Sequence, residues 1–249
     1  MKLAIAGKGG VGKTTITALL AREAVARGRR VLVVDADPDA NLATTLGFSE
    51  PPAPLAEEEL LIAERAGSGG FVRLNPTVGD IPNRYAVEQD GIRLIVLGGI
   101  RGGGKGCACP ANVLLKSLLG HLLMEERDVV LVDMEAGIEH LGRGTVESVD
   151  ALLLIVESDW KTLETANRSL SLAQEIGIER IFAAGNRIRD DEDAARIREG
   201  LPSGVLVVGS IPYRDELRIA ARSGAIPTAM AFPSVSELYV KLGEVCRGA

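Results

Sequence analysis

The sequence has few aromatic residues and few cysteines, and each shortage excludes a class of protein. Phe, Trp and Tyr make up 3% of the 249 residues, so the hydrophobic 46% must form a core of Val, Ile, Leu and Ala. Three cysteines do not suggest a disulfide-stabilised secreted fold. The net charge of −6 argues against general affinity for nucleic acids, although a local basic patch would escape this test.

Long apolar runs are also missing. The sequence contains no stretch of about 20 consecutive apolar residues, so no membrane span is expected. The first residues pass directly into a short apolar run, which leaves no room for a charged leader and its apolar segment. We therefore expect a cytoplasmic protein that binds neither a membrane nor a nucleic acid.

Short apolar runs alternate with helical patterns along the chain. The apolar runs are mostly continuous, as expected of strands buried on both faces, and they cover Lys2–Ala6, Arg30–Val34, Ile92–Leu97, Val129–Val132, Ala151–Val156, Arg180–Ala184 and Val205–Val208. Helical patterns separate most of them, at Thr14–Ala26, Ala111–Glu126, Leu163–Ile176 and Asp191–Glu199. This order predicts the α/β class: one domain over residues 1–249, with a doubly wound, mostly parallel sheet flanked by helices. Ligands of such sheets bind at the carboxyl ends of the strands.

The segment from about residue 49 to residue 90 is the least regular part of the pattern. It begins with three prolines between residues 51 and 54, continues with an acidic helix-like piece at Ala56–Ala66, and then has a glycine-rich stretch. We interpret the segment as an insertion within the domain. A mobile partner-binding surface and a solvated connection are both compatible with this composition.

A glycine-rich loop follows the first predicted strand, with the sequence Gly7-Lys8-Gly9-Gly10-Val11-Gly12-Lys13-Thr14-Thr15. It fits the pattern G-x-x-x-x-G-K-[ST] between a strand and a helix, which is the context of a phosphate-binding loop. The glycines let several backbone N–H groups point at one anion, and the helix that follows adds its positive end. We predict that this loop binds the phosphates of a nucleotide, with Lys13 on the β- and γ-phosphates and the Thr14 hydroxyl on Mg²⁺.

Carboxylates follow two other predicted strands. The run Asp128–Asp133 is typical of a Walker B strand, and we predict that Asp133 holds the Mg²⁺ shell, often through water. The second strand ends in Asp35, Asp37 and Asp39, a spacing that suits water and metal chemistry. Asp and Pro also favour turns, so the residues alone leave a purely structural role open for this segment.

Cys107 and Cys109 lie one residue apart on a glycine-rich loop, before a helix that begins with Pro110. Thiolates at a helix N-terminus have lowered pKa values and are good ligands for soft metals. The spacing alone is equally compatible with a pair of buried small hydrophobic residues. Two sulfurs cannot complete a tetrahedral site, so a metal here would need a second copy of the loop.

The loop also carries an early lysine, Lys8, and K-G-G-x-G-K-[ST] resembles the deviant P-loop of the MinD, ParA and nitrogenase-iron-protein group. The resemblance implies a homodimer that closes around ATP, with Lys8 reaching the nucleotide of the partner subunit. It also implies that Asp37 polarises the attacking water and that Asn186 reads the adenine base. Pro212 and Tyr213 would form the other wall of the base pocket.

The combination of this loop with the Cys-Ala-Cys motif and the string from Asp133 to Arg143 resembles the CooC-type ATPases, which help to insert nickel into carbon monoxide dehydrogenase. This resemblance implies one Ni²⁺ or Zn²⁺ held at the dimer interface by Cys107 and Cys109 of both subunits. It also implies a partner, carbon monoxide dehydrogenase or a similar nickel enzyme. The predicted function is therefore an ATP-hydrolysing metallochaperone.

Two alternative functions are weighed against this prediction. A MinD-like or ParA-like positioning ATPase would need a basic amphipathic C-terminal helix or a basic DNA-binding face, and Tyr239–Ala249 is a poor membrane anchor. An electron-transfer reductase like the nitrogenase iron protein would hold a 4Fe–4S cluster on cysteines far apart in the sequence. We expect Cys246 to be merely packed or exposed and His121 to be structural. For Trp160 we expect a packing role, with a surface or partner role as the alternative.

Overall fold

A computed structural model of the chain describes residues 1–68, 70–98, 110–125, 129–134, 149–223 and 232–247. Its strands are β1 (Lys2–Ala6), β2 (Val31–Ala36), β3 (Val87–Gln89), β4 (Ile92–Val96), β5 (Val129–Met134), β6 (Ala151–Val156), β7 (Ile181–Ile188) and β8 (Leu206–Pro212). They form one eight-stranded sheet in the order β3-β4-β2-β5-β1-β6-β7-β8. All neighbouring strands are parallel except β3 and β4, which are antiparallel. The predicted α/β class with a mostly parallel sheet is confirmed.

The helices are α1 (Lys13–Ala26), α2 (Leu42–Leu46), α3 (Glu59–Ala66), α4 (Ile81–Tyr85), α5 (Pro110–Glu125), α6 (Trp160–Ile176), α7 (Asp191–Gly200), α8 (Asp215–Ser223) and α9 (Pro233–Arg247). A 3₁₀ turn covers Leu55–Glu57. The long predicted helices are confirmed, and their ends differ from the prediction by at most three residues. None of the helices in the described ranges is long and apolar enough to cross a membrane.

Helices cover the sheet on both faces, which explains why its central strands are largely apolar on both faces. Ala4 and Ala6 of β1 lie in the hydrophobic core beneath α3, α5 and α6. Leu3 and Ile5 of the same strand lie in the opposite core, beneath α1, α2 and α9. Because successive side chains of a strand point to opposite faces, the central strands are hydrophobic at successive positions, and the carboxylates Asp35 and Asp133 come only near the ends of their strands.

The segment 49–90 folds against this body as far as it is described. Leu61 and Ala66 of α3 are buried in the core shared with α5. Arg65 donates two hydrogen bonds to Asp80, each of 2.9 Å, and so ties the end of α3 to the start of α4. The segment also contributes β3, an edge strand of three residues. A partner-binding role for this segment stays a prediction.

Candidate nucleotide-binding site

The glycine loop lies at the carboxyl end of β1, between β5 and β6, and two of its glycines are required by their surroundings. Gly7 has φ +146°, and a Cβ there would lie 2.5 Å from the backbone oxygen of Ile155. Gly12 has φ +96°, and a Cβ there would lie 2.4 Å from Nδ2 of Asn186. A side chain at either position would be strained and would collide with a neighbour, so the loop shape depends on glycine.

The loop leads into α1 through a buried lysine. Lys13 is only 6% exposed, and its ammonium group is 3.4 Å from the carbonyl oxygen of Lys8. The helix begins after Gly12 with no side-chain cap and no acidic residue in its first turn. The first N–H groups of a helix carry partial positive charge, so this uncapped end and the buried ammonium suit an anion such as a phosphate.

Two buried carboxylates lie side by side at the ends of β2 and β5, where Asp35 is the register partner of Asp133. Both carboxylate oxygens of Asp35 accept hydrogen bonds from the backbone. Its Oδ1 accepts from the N–H of Asp37 at 3.1 Å, and its Oδ2 accepts from the N–H of Leu42 at 3.0 Å. The Oδ1 of Asp133 accepts a long hydrogen bond of 3.5 Å from Thr17 Oγ1, and the Thr14 hydroxyl also hydrogen-bonds to this carboxyl. Its buried Oδ2 has no hydrogen-bond partner among the described residues.

Burial raises the pKa of both carboxyls. Removal from water raises the pKa of Asp133 to about 7, with a further upward contribution from the nearby Asp35. The Thr14 hydroxyl and the Lys13 ammonium act on Asp133 in the opposite direction. Burial likewise raises the pKa of Asp35 to about 6. A bound cation would favour the ionised form of Asp133, so its uncommitted oxygen beside Thr14 fits a Mg²⁺ site.

Asp37 lies on the half-exposed loop that follows β2. Its Oδ1 accepts a hydrogen bond from the N–H of Asp39 at 2.9 Å, and its carbonyl accepts from the N–H of Ala40 at 3.0 Å. Ala40 has a positive φ of 42°. The carboxylate proposed for water activation therefore belongs to a tight turn, which is held at its base by Asp35.

Lys8 is paired within its own subunit. Its ammonium group is 3.7 Å from Oδ1 of Asp159, and the two side chains are 37% and 50% exposed. Asp159 also caps α6 by accepting from the N–H of Thr162 at 3.1 Å. The adjacent Trp160 is 71% exposed, so the expected packing role for this residue is wrong. An exposed tryptophan thus directly follows Asp159, the residue that pairs with the early lysine, and the sequence does not reveal this pairing.

Asn186 and Tyr213 lie on β7 and directly after β8. Asn186 is 7% exposed, and its Nδ2 donates a hydrogen bond of 2.7 Å to the carbonyl of Val11 in the glycine loop. The Tyr213 ring, next to Pro212, lies 5.2 Å from the Arg189 guanidinium, a cation–π distance. The sheet therefore brings Asn186 into contact with the loop, whereas Tyr213 contacts neither the loop nor Asn186 through any hydrogen bond among the described residues.

The predicted metal ligands Cys107 and Cys109 lie outside the described residues, as do residues 135–143 of the string that carries the resemblance to the CooC type. The helix predicted to follow the cysteines does begin at Pro110. Cys246 is 8% exposed in the core around α9, in agreement with its expected packing role.

Sequence reasoning missed Thr17, and it named Asp35 without assigning it a structural role. Thr17 is fully buried one helical turn after Lys13, and Asp35 anchors the turn that carries Asp37. The position of Asp35 at the end of an apolar strand could have indicated this role, because a carboxylate is rarely buried there without hydrogen-bond partners. Thr17 has no such signal.

A glycine loop between strand and helix, a buried lysine and two strand-end carboxylates together define a P-loop nucleotide-binding protein. The chain belongs to the family described as the CobQ/CobB/MinD/ParA nucleotide binding domain, which matches residues 2–227. The predicted membership of the MinD/ParA group is thereby confirmed.

Similar proteins are found at the level of sequence. The carbon monoxide dehydrogenase accessory protein CooC of Rhodospirillum rubrum is 40% identical over 232 residues, which cover 90% of this chain and 88% of that protein. An uncharacterised ATP-binding protein of Methanocaldococcus jannaschii is 41% identical over 225 residues, 87% of each chain. The predicted resemblance to the CooC type is confirmed by the first of these.

Solved structures share the fold. The MinC:MinD cell division protein complex of Aquifex aeolicus contains a chain with a TM-score of 0.69 at 21% identity, and the match covers 99% of this chain and 96% of that chain. A ParA family ATPase from Chlorobium tepidum gives a TM-score of 0.69 at 20% identity, with 98% and 97% coverage. At such identities the likeness concerns the fold alone.

Proposed function

We propose that the protein is an ATP-hydrolysing metallochaperone that supports nickel insertion into carbon monoxide dehydrogenase or a similar nickel enzyme. The observation that carries this proposal is the 40% identity, over 90% of the chain, with an accessory protein of carbon monoxide dehydrogenase. The whole chain acts as one ATPase domain, with residues 49–90 as an insertion in it.

The glycine loop holds the triphosphate of ATP. The N–H groups of Gly9, Gly10, Val11 and Gly12 and the start of α1, with Thr15, surround the phosphates, and Lys13 neutralises their charge. Thr14 and Asp133 would hold Mg²⁺, which supplies charge neutralisation between the β- and γ-phosphates when bound. Asn186, Pro212 and Tyr213 line the side on which the adenine base binds.

Asp37 orients the attacking water. Phosphoryl transfer needs mainly positioning and charge neutralisation, so one carboxylate that orients water is sufficient. The Asp37 carboxylate now accepts from the N–H of Asp39, and its backbone N–H is held by Asp35. We infer that the Asp35 contact fixes the base of the turn while the Asp37 carboxylate exchanges its local hydrogen bond for one with water.

The dimer couples the nucleotide to the metal. Cys107 and Cys109 of two subunits supply four thiolates, enough to bind one Ni²⁺ or Zn²⁺ ion as cargo. Lys8 crosses to the nucleotide of the partner subunit, and to do so it must leave Asp159. This exchange costs little, because an exposed ion pair contributes only about 0–1 kcal/mol, whereas a phosphate offers Lys8 a higher charge.

The buried face of α9 weighs against a MinD-like positioning function. Its apolar residues Val235, Leu238 and Leu242 lie in the core with α1 and β8. A membrane-binding helix needs such a face to be free to enter the lipid boundary. In this chain that face is already used to cover the sheet.

Activation of a nickel-free client tests the proposed function. Nickel-free carbon monoxide dehydrogenase is incubated with limiting Ni²⁺, with and without this protein, and its CO oxidation is measured. We expect activation that requires both the protein and MgATP and is absent with a non-hydrolysable ATP analogue. Activation no greater than that with Ni²⁺ alone, from a preparation that hydrolyses ATP, would reject the metallochaperone function while leaving the ATPase intact.

A further inference from the structure

The side chain of Asn186 is attached to the phosphate-binding loop. Its Nδ2 donates to the carbonyl of Val11 at 2.7 Å, a contact that joins residues 175 positions apart in the sequence. Both residues are buried, with Asn186 7% and Val11 2% exposed. Water therefore cannot easily replace this hydrogen bond, and its loss would leave a buried carbonyl without its donor.

An irregular piece of backbone places Asn186 there. The pairing of β7 with β8 shifts between Gly185 and Ile188, and Arg187 within this shift has φ +58°. A non-glycine residue in the left-handed region is uncommon and costs free energy, so the surroundings must hold it. Part of that support is an ion pair of 2.7 Å between Arg187 and Glu157, which lies just after β6.

The loop is shaped to receive the amide group. Gly12 has no side chain, and a Cβ at this position would lie 2.4 Å from Asn186 Nδ2. Gly177 at the end of α6 has nearly the same backbone angles, φ 94° and ψ 21° against φ 96° and ψ 21°, but has open space around it. The backbone angles alone therefore favour glycine at residue 12, and a side chain there would in addition push the Asn186 amide out of its place against the loop.

We propose that Asn186 is a positioning residue of the phosphate-binding loop, so that it supports phosphate binding and does not serve only to read the base. The carbonyl of Val11 and the N–H of Gly12 belong to one planar trans peptide and point in opposite directions. Anchoring that carbonyl on Asn186 turns the Gly12 N–H away from Asn186 and fixes its direction. This inference rests on the proposed role of the loop in binding ATP.

Positioning of the loop and reading of the base predict different effects of an Asn186 substitution on a ligand that has no base. We would measure the Kd of MgATP and of magnesium triphosphate, the inorganic chain alone, by calorimetry for the parent and for Asn186→Asp. Aspartate has nearly the shape of asparagine but has no N–H to donate, and Asn186→Ala, which adds no charge, is measured beside it to separate the lost donor from repulsion between a carboxylate and the phosphates. We expect both affinities to fall by a similar factor, about tenfold, the size expected for one lost buried hydrogen bond.

Asn167→Asp is the matched control. Its Nδ2 also donates to a backbone carbonyl, that of Gly200 at 3.2 Å, where α6 meets α7. This variant should lower the melting temperature and leave both affinities unchanged. If Asn186→Asp does not fold, Asn186→Ala, which removes the same donor without adding a charge, gives the result by itself.

The outcomes separate the inference from the proposed function. A fall in ATP affinity with unchanged triphosphate affinity would mean that Asn186 reads only the base, and the inference would be overturned. Unchanged affinity for both ligands would overturn it equally. A parent protein that binds neither ligand would instead refute the nucleotide site itself.

Discussion

Replacement of Lys13 by Ala is expected to weaken ATP binding about 100-fold, since hydrogen bonds to charged groups contribute up to about 3 kcal/mol. Lys13 is 6% exposed, and its ammonium group donates only a long hydrogen bond of 3.4 Å to the Lys8 carbonyl among the described residues, so it is available to a phosphate. In a buried site, the attraction between the ammonium group and the phosphates is screened less by water than it would be at the surface, so its loss weakens binding more. Titration of MgATP by calorimetry measures the effect.

Lys161→Ala is the control for the loss of one positive charge, because Lys161 lies exposed in the first turn of α6. It should bind ATP as the parent does. If Lys13→Ala kept the affinity of the parent, the loop would not bind the triphosphate as described, and the whole assignment of the site would fail.

Asp37→Asn is expected to bind ATP normally but to hydrolyse it about 100-fold or more slowly, the range found when an acid–base group is lost. Asparagine keeps an oxygen that can accept from the N–H of Asp39, so the turn should survive. Only the charge that orients water is removed. Single-turnover measurement of phosphate release, with ATP affinity measured in parallel, separates hydrolysis from binding.

The neighbouring carboxylate provides the control for this variant. Asp39→Asn removes a charge from an exposed position of the same turn, and its backbone N–H still reaches Asp37. Its turnover should stay within a few-fold of the parent. Equal losses in the two variants would show that the charge of the turn matters as a whole and that Asp37 has no special role.

The features that the sequence predicts well are those that depend on local pattern. The spacing of glycine, lysine and threonine from Gly7 to Thr15 is specific to phosphate-binding loops when it lies between a strand and a helix. The apolar runs of the sequence predict a parallel sheet, and the loop lies at the carboxyl end of its strand β1. The edge strand β3 and the helices α2 and α4 are three to five residues long, too short for any periodicity to be visible.

The features that the sequence does not predict depend on contacts between distant segments. Asn186 meets Val11 only because β7 lies two strands from β1 and is irregular at its end. Lys8 can pair with Asp159 because β1 and β6, the strands that precede these residues, are neighbours in the sheet. The exposure of Trp160, which follows Asp159, likewise depends on how the chain is placed after β6. No pattern within either segment carries this information.

The shared metal site is the central claim of the proposed function, and metal content measured together with mass tests it most directly. The protein is titrated with Ni²⁺ or Zn²⁺ in the presence and absence of MgATP, and each sample is analysed by sedimentation and elemental analysis. We expect an ATP-promoted dimer that holds about one metal ion per two chains, since four thiolates complete one site.

Cys107→Ser/Cys109→Ser should lose the metal, Cys246→Ser should keep it, and Lys8→Ala should stay monomeric with ATP. A monomer that binds the metal tightly, or unchanged metal content in the double variant, would contradict the account.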